Sequence, residues 1–142
     1  MMELTLLFKL GDTIYGLEID AIQEIIENPD QHFVPRAEGV LTGAINFHGR
    51  ILAVIDLPAL LGFDSAGALD HRCVVLTPEH RSLTLQVTGI ERIVKLDLAD
   101  LQPASVDAYS NAIRGVAEFD ETMVNMLDSK AVIQQLETLY KG

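Results

Sequence analysis

A pattern of glycine, phenylalanine and aspartate recurs in the two halves of this chain, and it narrows the possible folds more than any other feature. Gly43-Ala44-Ile45-Asn46-Phe47 is echoed by Gly115-Val116-Ala117-Glu118-Phe119. In the same register Ile51-Leu52 lies over Met123-Val124, Ile55-Asp56 over Leu127-Asp128, and Ala59-Leu60-Leu61 over Ala131-Val132-Ile133. Upstream, Leu17, Ile19, Ile22, Ile25 and Ile26 lie over Leu85, Val87, Ile90, Ile93 and Val94, with Pro35 over Pro103. The change of register between the two blocks is assigned to the loop after Pro103. Apolar matches alone would mean little, because all strands share such residues. Gly, Phe and Asp in register across a hairpin mean more. The echo predicts a duplicated β unit, two small barrels built from similar pieces. Within 142 residues two separate barrels would each lack an adequate core. They are expected to share an apolar seam in one domain over 1–142, with a groove between them suited to a partner helix.

The local pattern is mainly that of strands, with alternation of period two or short apolar runs. Strands are expected at Leu4–Leu10, Thr13–Ile19, Gln23–Glu27, Thr42–Phe47, Ile51–Leu57, Cys73–Thr77, Ser82–Val87, Ile90–Leu96, Ala112–Phe119 and Met123–Leu127. Gly11-Asp12 reads as a turn and Asn28-Pro29-Asp30 as a break. His48-Gly49-Arg50 and Asp120-Glu121-Thr122 read as hairpin tips, the first with Gly supplying a positive φ. Val132, Ile133, Leu136, Leu139 and Tyr140 form the one clear helical stripe, at the C-terminal end. Asp128 or Ser129 can cap its start, and Lys141 and Gly142 suit its end. Pro58–Leu61 and Leu98–Leu101 suit short helices or turns.

Charge and motif content exclude several functions. With 10 Lys+Arg against 21 Asp+Glu the net charge is −11, which argues against nucleic acid and against an anionic membrane surface. No basic residue lies between Lys9 and Arg36, a span holding Asp12, Glu18, Asp20, Glu24, Glu27 and Asp30. It reads as a solvated acidic face or as a docking edge for a basic partner. No signal peptide or spanning segment is evident, so a cytoplasmic protein without membrane insertion is expected. There is no phosphate loop and no nucleophile elbow. Cys73 reads as a buried strand residue. His32, His48, His71 and His80 share no metal-ligand spacing, and His71-x-Cys73 is only a two-ligand fragment. Neither metal nor cofactor is expected. Asp56 and Asp128 read as N-caps for the helices that follow. His48, at the first hairpin tip, reads as an exposed turn residue or a partner contact, with a catalytic base a distant third.

The stretch from Val34-Pro35 through Gly43-Ala44-Ile45-Asn46-Phe47-His48-Gly49-Arg50-Ile51-Leu52-Ala53-Val54-Ile55-Asp56-Leu57 resembles the CheW family of chemotaxis coupling proteins. That family carries Val-Pro, then Gly-x-x-Asn-Leu-Arg-Gly, an apolar pair, Pro-Val and Asp-Leu. Tyr15-Gly16-Leu17-Glu18-Ile19, Ile22-Gln23-Glu24-Ile25-Ile26, Ile113-Arg114-Gly115-Val116-Ala117 and Leu127-Asp128 extend the resemblance over nearly the whole chain. The chain departs from the pattern at His48 (Arg in the family), Ala53 (Pro) and Thr88 (Asp). The resemblance implies two intertwined five-stranded SH3-like barrels around a shared hydrophobic core, and no catalysis. It implies an adaptor between a CheA-type histidine kinase and the cytoplasmic tips of chemoreceptors. Receptor docking is expected of Asn46, His48, Gly49 and Arg50, with Glu24 nearby, and Phe47 is expected in the core. Kinase contacts are expected of exposed apolar residues at a barrel end, without individual assignment. If His48 meets an acidic receptor surface, docking should strengthen as the imidazole gains its proton. Rival readings are a scaffold of a related chemosensory pathway such as pilus motility, a small-ligand or metal-dependent enzyme using His48, and a self-associating module.

Overall fold

The computed structural model describes residues 2–27, 29–32, 40–62, 72–78, 83–103 and 112–140, with side chains of the last helix up to Thr138. Asn28, Val34, Pro35, Arg36, His71, His80, Ser82, Lys141 and Gly142, and the side chains of Leu139 and Tyr140, lie outside the described residues.

Among the described residues ten strands form, close to where alternation predicts them. They are β1 (Glu3–Leu10), β2 (Thr13–Glu18), β3 (Ile22–Glu27), β4 (Leu41–Phe47), β5 (Arg50–Asp56), β6 (Arg72–Leu76), β7 (Thr84–Val87), β8 (Gly89–Leu96), β9 (Ile113–Phe119) and β10 (Thr122–Leu127). The described residues also form two α-helices, α1 (Leu57–Leu60) and α2 (Ser129–Tyr140), with a 3₁₀ turn at Ile19–Ala21. Leu57, expected to end a strand, instead opens α1. The Asp56 carboxylate accepts from Ala59 N at 3.2 Å, and Pro58 in the first turn needs no hydrogen-bond partner. Ile19 likewise leaves β2 for the 3₁₀ turn, and the Leu98–Leu101 segment forms a turn, not a helix.

The strands assemble into two five-stranded sheets, ordered β8-β1-β2-β10-β9 and β3-β6-β7-β5-β4. If β1–β5 are one repeat and β6–β10 the next, the second order is the first with the repeats interchanged. Each sheet therefore takes two strands from one repeat and three from the other. The joints are the two parallel pairings, β10 with β2 and β5 with β7, and the two antiparallel ones, β1 with β8 and β3 with β6. The barrels are interlocked halves, not one repeat each, and they are SH3-like.

The repeat holds at the level of register. The β4–β5 ladder shifts between Leu41/Ile55 and Gly43/Val54, and β9–β10 shifts between Ile113/Leu127 and Gly115/Met126. The β3–β6 ladder shifts past Gln23, and β1–β8 shifts past Glu91. Short bridges pair His32 with Ala44 and Gln102 with Val116. These bridges correct the sequence alignment. Gln102 is the counterpart of His32, two positions out of the upstream register, while Pro35 lies outside the described residues. Part of the register change therefore falls before Gln102, between the end of β8 and the bridge.

Three apolar cores follow from this arrangement. Inside the first barrel lie Leu7, Val94, Leu96, Leu98, Val124 and Met126. Inside the second lie Ile45, Phe47, Leu52, Val54, Cys73 and Val75. Between the barrels a larger seam takes Leu6, Phe8, Leu17, Leu76, Leu85 and Val132. β1 and β6 feed two cores at once, since alternate side chains point to opposite faces. β6 accordingly reads as a continuous apolar run from Cys73 to Leu76, and β1 carries the shorter run Leu6 to Phe8. α2 caps the seam, and Gln135 Nε2 donates to Leu60 O at 2.9 Å.

Cys73 is fully buried as expected, and burial pushes its thiol up to about 11. The reactive thiolate is therefore scarce at neutral pH. Native protein is expected to resist thiol reagents at pH 8 and to react within the dead time in strong urea. Fast labelling of native protein would contradict the burial.

Candidate functional site

β4 and β5 are joined by a two-residue turn, with His48 at φ 51° and Gly49 at φ 84°. This backbone matches the twist of the flanking strands, and glycine adopts it at little cost. The Asn46 side-chain oxygen accepts from Gly49 N at 2.9 Å and holds the turn. Phe47 points into the second barrel and is buried, as expected. The turn then sends His48 outward, with its side chain 74% exposed and its ring 4.4 Å from that of Phe47. Arg50 and Ile51 follow, both exposed.

The fifth predicted residue comes from a distant part of the chain and meets the others. β3 is the far edge of the same sheet, yet Glu24 Oε1 lies 3.7 Å from His48 Nε2. The bulge at Gln23 and the packing of Ile26 on the Phe47 core bring the two edges together. Asn46, His48, Gly49, Arg50 and Glu24 thus occupy one surface at the barrel rim. Glu27 on the same edge strand is held by Arg72 at 2.7 Å.

The other barrel has the same device with opposite signs. By register, Arg92 of β8 corresponds to Glu24, and Asp120 of the β9–β10 turn to His48. Arg92 Nη2 lies 4.0 Å from Asp120 Oδ2, and the guanidinium sits 4.8 Å over the Phe119 ring. The sequence pattern contained this pairing, since the repeat aligns both residues, but charge inversion hides it from a search for matching residue types. That second turn is Asp120-Glu121, two residues, not three, with φ of 53° and 65°.

Other predicted features are structural. Asp128 Oδ1 accepts from Lys130 N at 3.0 Å and Ala131 N at 3.3 Å, and Asp56 caps α1, so both acids are N-caps. Glu18, in the acidic stretch, is bonded to Arg114. A pocket of about 370 Å³ lies between the end of β2 and the start of α2, lined by Leu17, Glu18, Asp20, Arg114 and Lys130 among others. None of the five rim residues lines it. Among the described residues no group of three or more His, Cys, Asp or Glu could hold a metal, and no helix is long and apolar enough to cross a membrane.

An interlocked pair of SH3-like barrels, with polar groups exposed at its hairpin tips, defines a scaffold type of module. The chain belongs to the CheW-like domain family, whose pattern matches residues 4–137. It is 26% identical over 134 residues to the chemotaxis protein CheW of Rhizobium meliloti, covering 92% of this chain and 86% of that one. It is 27% identical over 132 residues to the chemotaxis protein CheW of Thermotoga maritima, covering 91% and 86%. The scaffolding protein TtCheW from Thermoanaerobacter tengcongensis superposes with a TM-score of 0.78 at 22% identity, covering 90% of each chain. The family consists of non-catalytic scaffolds in chemotaxis, and this chain is not an enzyme.

Proposed function

We propose that this chain is a cytoplasmic adaptor that couples a CheA-type histidine kinase to the cytoplasmic tips of chemoreceptors. The β4–β5 hairpin and the β3 edge serve as the receptor-docking surface. One observation carries this reading: Glu24, far away in the sequence, folds against the hairpin that bears Asn46, His48, Gly49 and Arg50. Such convergence of exposed polar groups on a rigid strand scaffold suits recognition of a helical partner.

Kinase docking is assigned to a second face. Leu6 pairs with Ile93 and Leu4 with Lys95 across β1 and β8, so Leu4 and Ile93 share one side of the sheet. Leu4 is 51% exposed and Ile93 54% exposed. At the matching positions of the other sheet stand Arg72 and Glu27, an ion pair, and a half-buried Ile25. The apolar patch is thus specific to one barrel, and covering it releases water from apolar surface.

Binding of the native chain and two variants to a cognate receptor tip and to the kinase regulatory domain tests both assignments. Arg50→Glu is expected to weaken receptor binding by at least about tenfold while kinase binding holds. Leu4→Glu with Ile93→Glu is expected to do the reverse. Native protein that binds neither partner would overturn the adaptor reading.

A further inference from the structure

We infer that protonation of His48 decides whether the Glu24 carboxylate is bound within the chain or offered to a docking partner. Each barrel carries an exposed pair at a matching position, joining an edge strand to the opposite hairpin tip. In the first barrel the cation is Arg92, which keeps its charge at every physiological pH and is further seated on Phe119. In the second barrel the cation is His48. Imidazole gains or loses its charge between about pH 5 and 8. The cation of one pair is therefore permanent, and that of the other depends on a proton.

The surroundings point to Glu24 as the group that changes partner. On β3 the charged neighbours are Glu24 and Glu27, and Glu27 is held by Arg72 of β6. On the hairpin they are His48 itself and Arg50. With a proton on its ring His48 attracts Glu24 across 3.7 Å; without it the attraction is lost, and an exposed carboxylate faces outward. The preceding 3₁₀ turn adds Asp20, also exposed. The released edge is acidic, so the partner group it suits is a cation. Docking through Glu24 accordingly strengthens as pH rises, the reverse of the dependence expected if His48 itself met an acidic receptor surface. Both members of the pair are substantially exposed, at 74% and 47%. The effect is therefore modest, a change of about two- to fivefold in affinity.

The consequence for docking rests on the receptor reading above, whereas the pair itself does not, and one experiment separates them. The side-chain carboxyl carbon shifts of Glu24 and Asp120 are followed by NMR from pH 5 to 8 in the free chain, alongside the His48 ring. Affinity for a receptor-tip fragment is measured over the same range. Native protein is expected to show a step in Glu24 at the pH where the His48 ring titrates, with none in Asp120. His48→Asn, which suits a positive φ, and His48→Arg are each expected to abolish that step. Receptor affinity should rise about two- to fivefold with pH in native protein and stay flat in both variants. A Glu24 shift that ignores the His48 titration, or the same affinity profile in His48→Arg, would overturn the inference. A normal Glu24 step with no receptor binding at any pH would overturn the receptor reading and leave the proton-dependent pair standing.

Discussion

Phe8→Ala is expected to cost about 3–5 kcal/mol and to unfold both barrels in one transition. Phe8 is 1% exposed and stands in the seam, where its ring stacks 6.2 Å from Tyr15. Removing it deletes buried apolar surface and leaves a cavity that β1 cannot close, because Leu7, on the other side of the strand, fills the first barrel. The seam includes Leu76, Leu85 and Val87 from the second sheet, so the loss is felt on both sides. Domains of this size have about 5–15 kcal/mol in total, so the variant approaches the threshold. Urea unfolding followed by circular dichroism should give one midpoint, well below that of the native chain. Two separated transitions, or a loss under about 1 kcal/mol, would show that the barrels do not depend on a common seam.

Gly115→Ala is expected to be the second most damaging change, at about 1–3 kcal/mol. A methyl group there would stand 2.8 Å from Leu101 Cβ and 2.9 Å from the Gln102 carbonyl oxygen. Gln102 exchanges two backbone hydrogen bonds with Val116, at 2.9 and 2.8 Å, so the obstruction is not a flexible side-chain tip. Gly43 is in the same position, since its methyl would meet the His32 carbonyl oxygen at 2.8 Å. Gly43→Ala should therefore cost a similar amount. Gly89→Ala meets open space and should stay within about 0.5 kcal/mol. Equal tolerance of all three in urea titrations would contradict the close approach of the bridges.

These two glycines show why part of the fold was legible. Their recurrence in the sequence marked the repeat, and the physical reason is a close backbone contact present once in each barrel. The capping roles of Asp56 and Asp128 and the turn at His48-Gly49 were legible because each depends on neighbours within a few residues. The burial of Phe47 and Cys73 was legible from the apolar pattern of their strands. The register change was placed too late because the bridges at His32 and Gln102 keep their register through backbone hydrogen bonds, which leave no mark in side-chain type. The rim surface was half legible. The hairpin residues come from one motif, but the contact of Glu24 with His48 depends on how far the sheet curls. The matching Arg92–Asp120 pair went unseen because its charges are reversed.

The sequence by itself determined the strands, the turns, the helix caps and the existence of two equivalent halves. Those features follow from side-chain periodicity, from backbone preferences at glycine and proline, and from hydrogen bonds between near neighbours. Only the tertiary structure decided that the halves exchange strands, with β2 beside β10 and β7 beside β5. Strands of similar composition can pair in several orders. The choice among them is made by burying β1 and β6 on both faces, against a barrel core and against the shared seam.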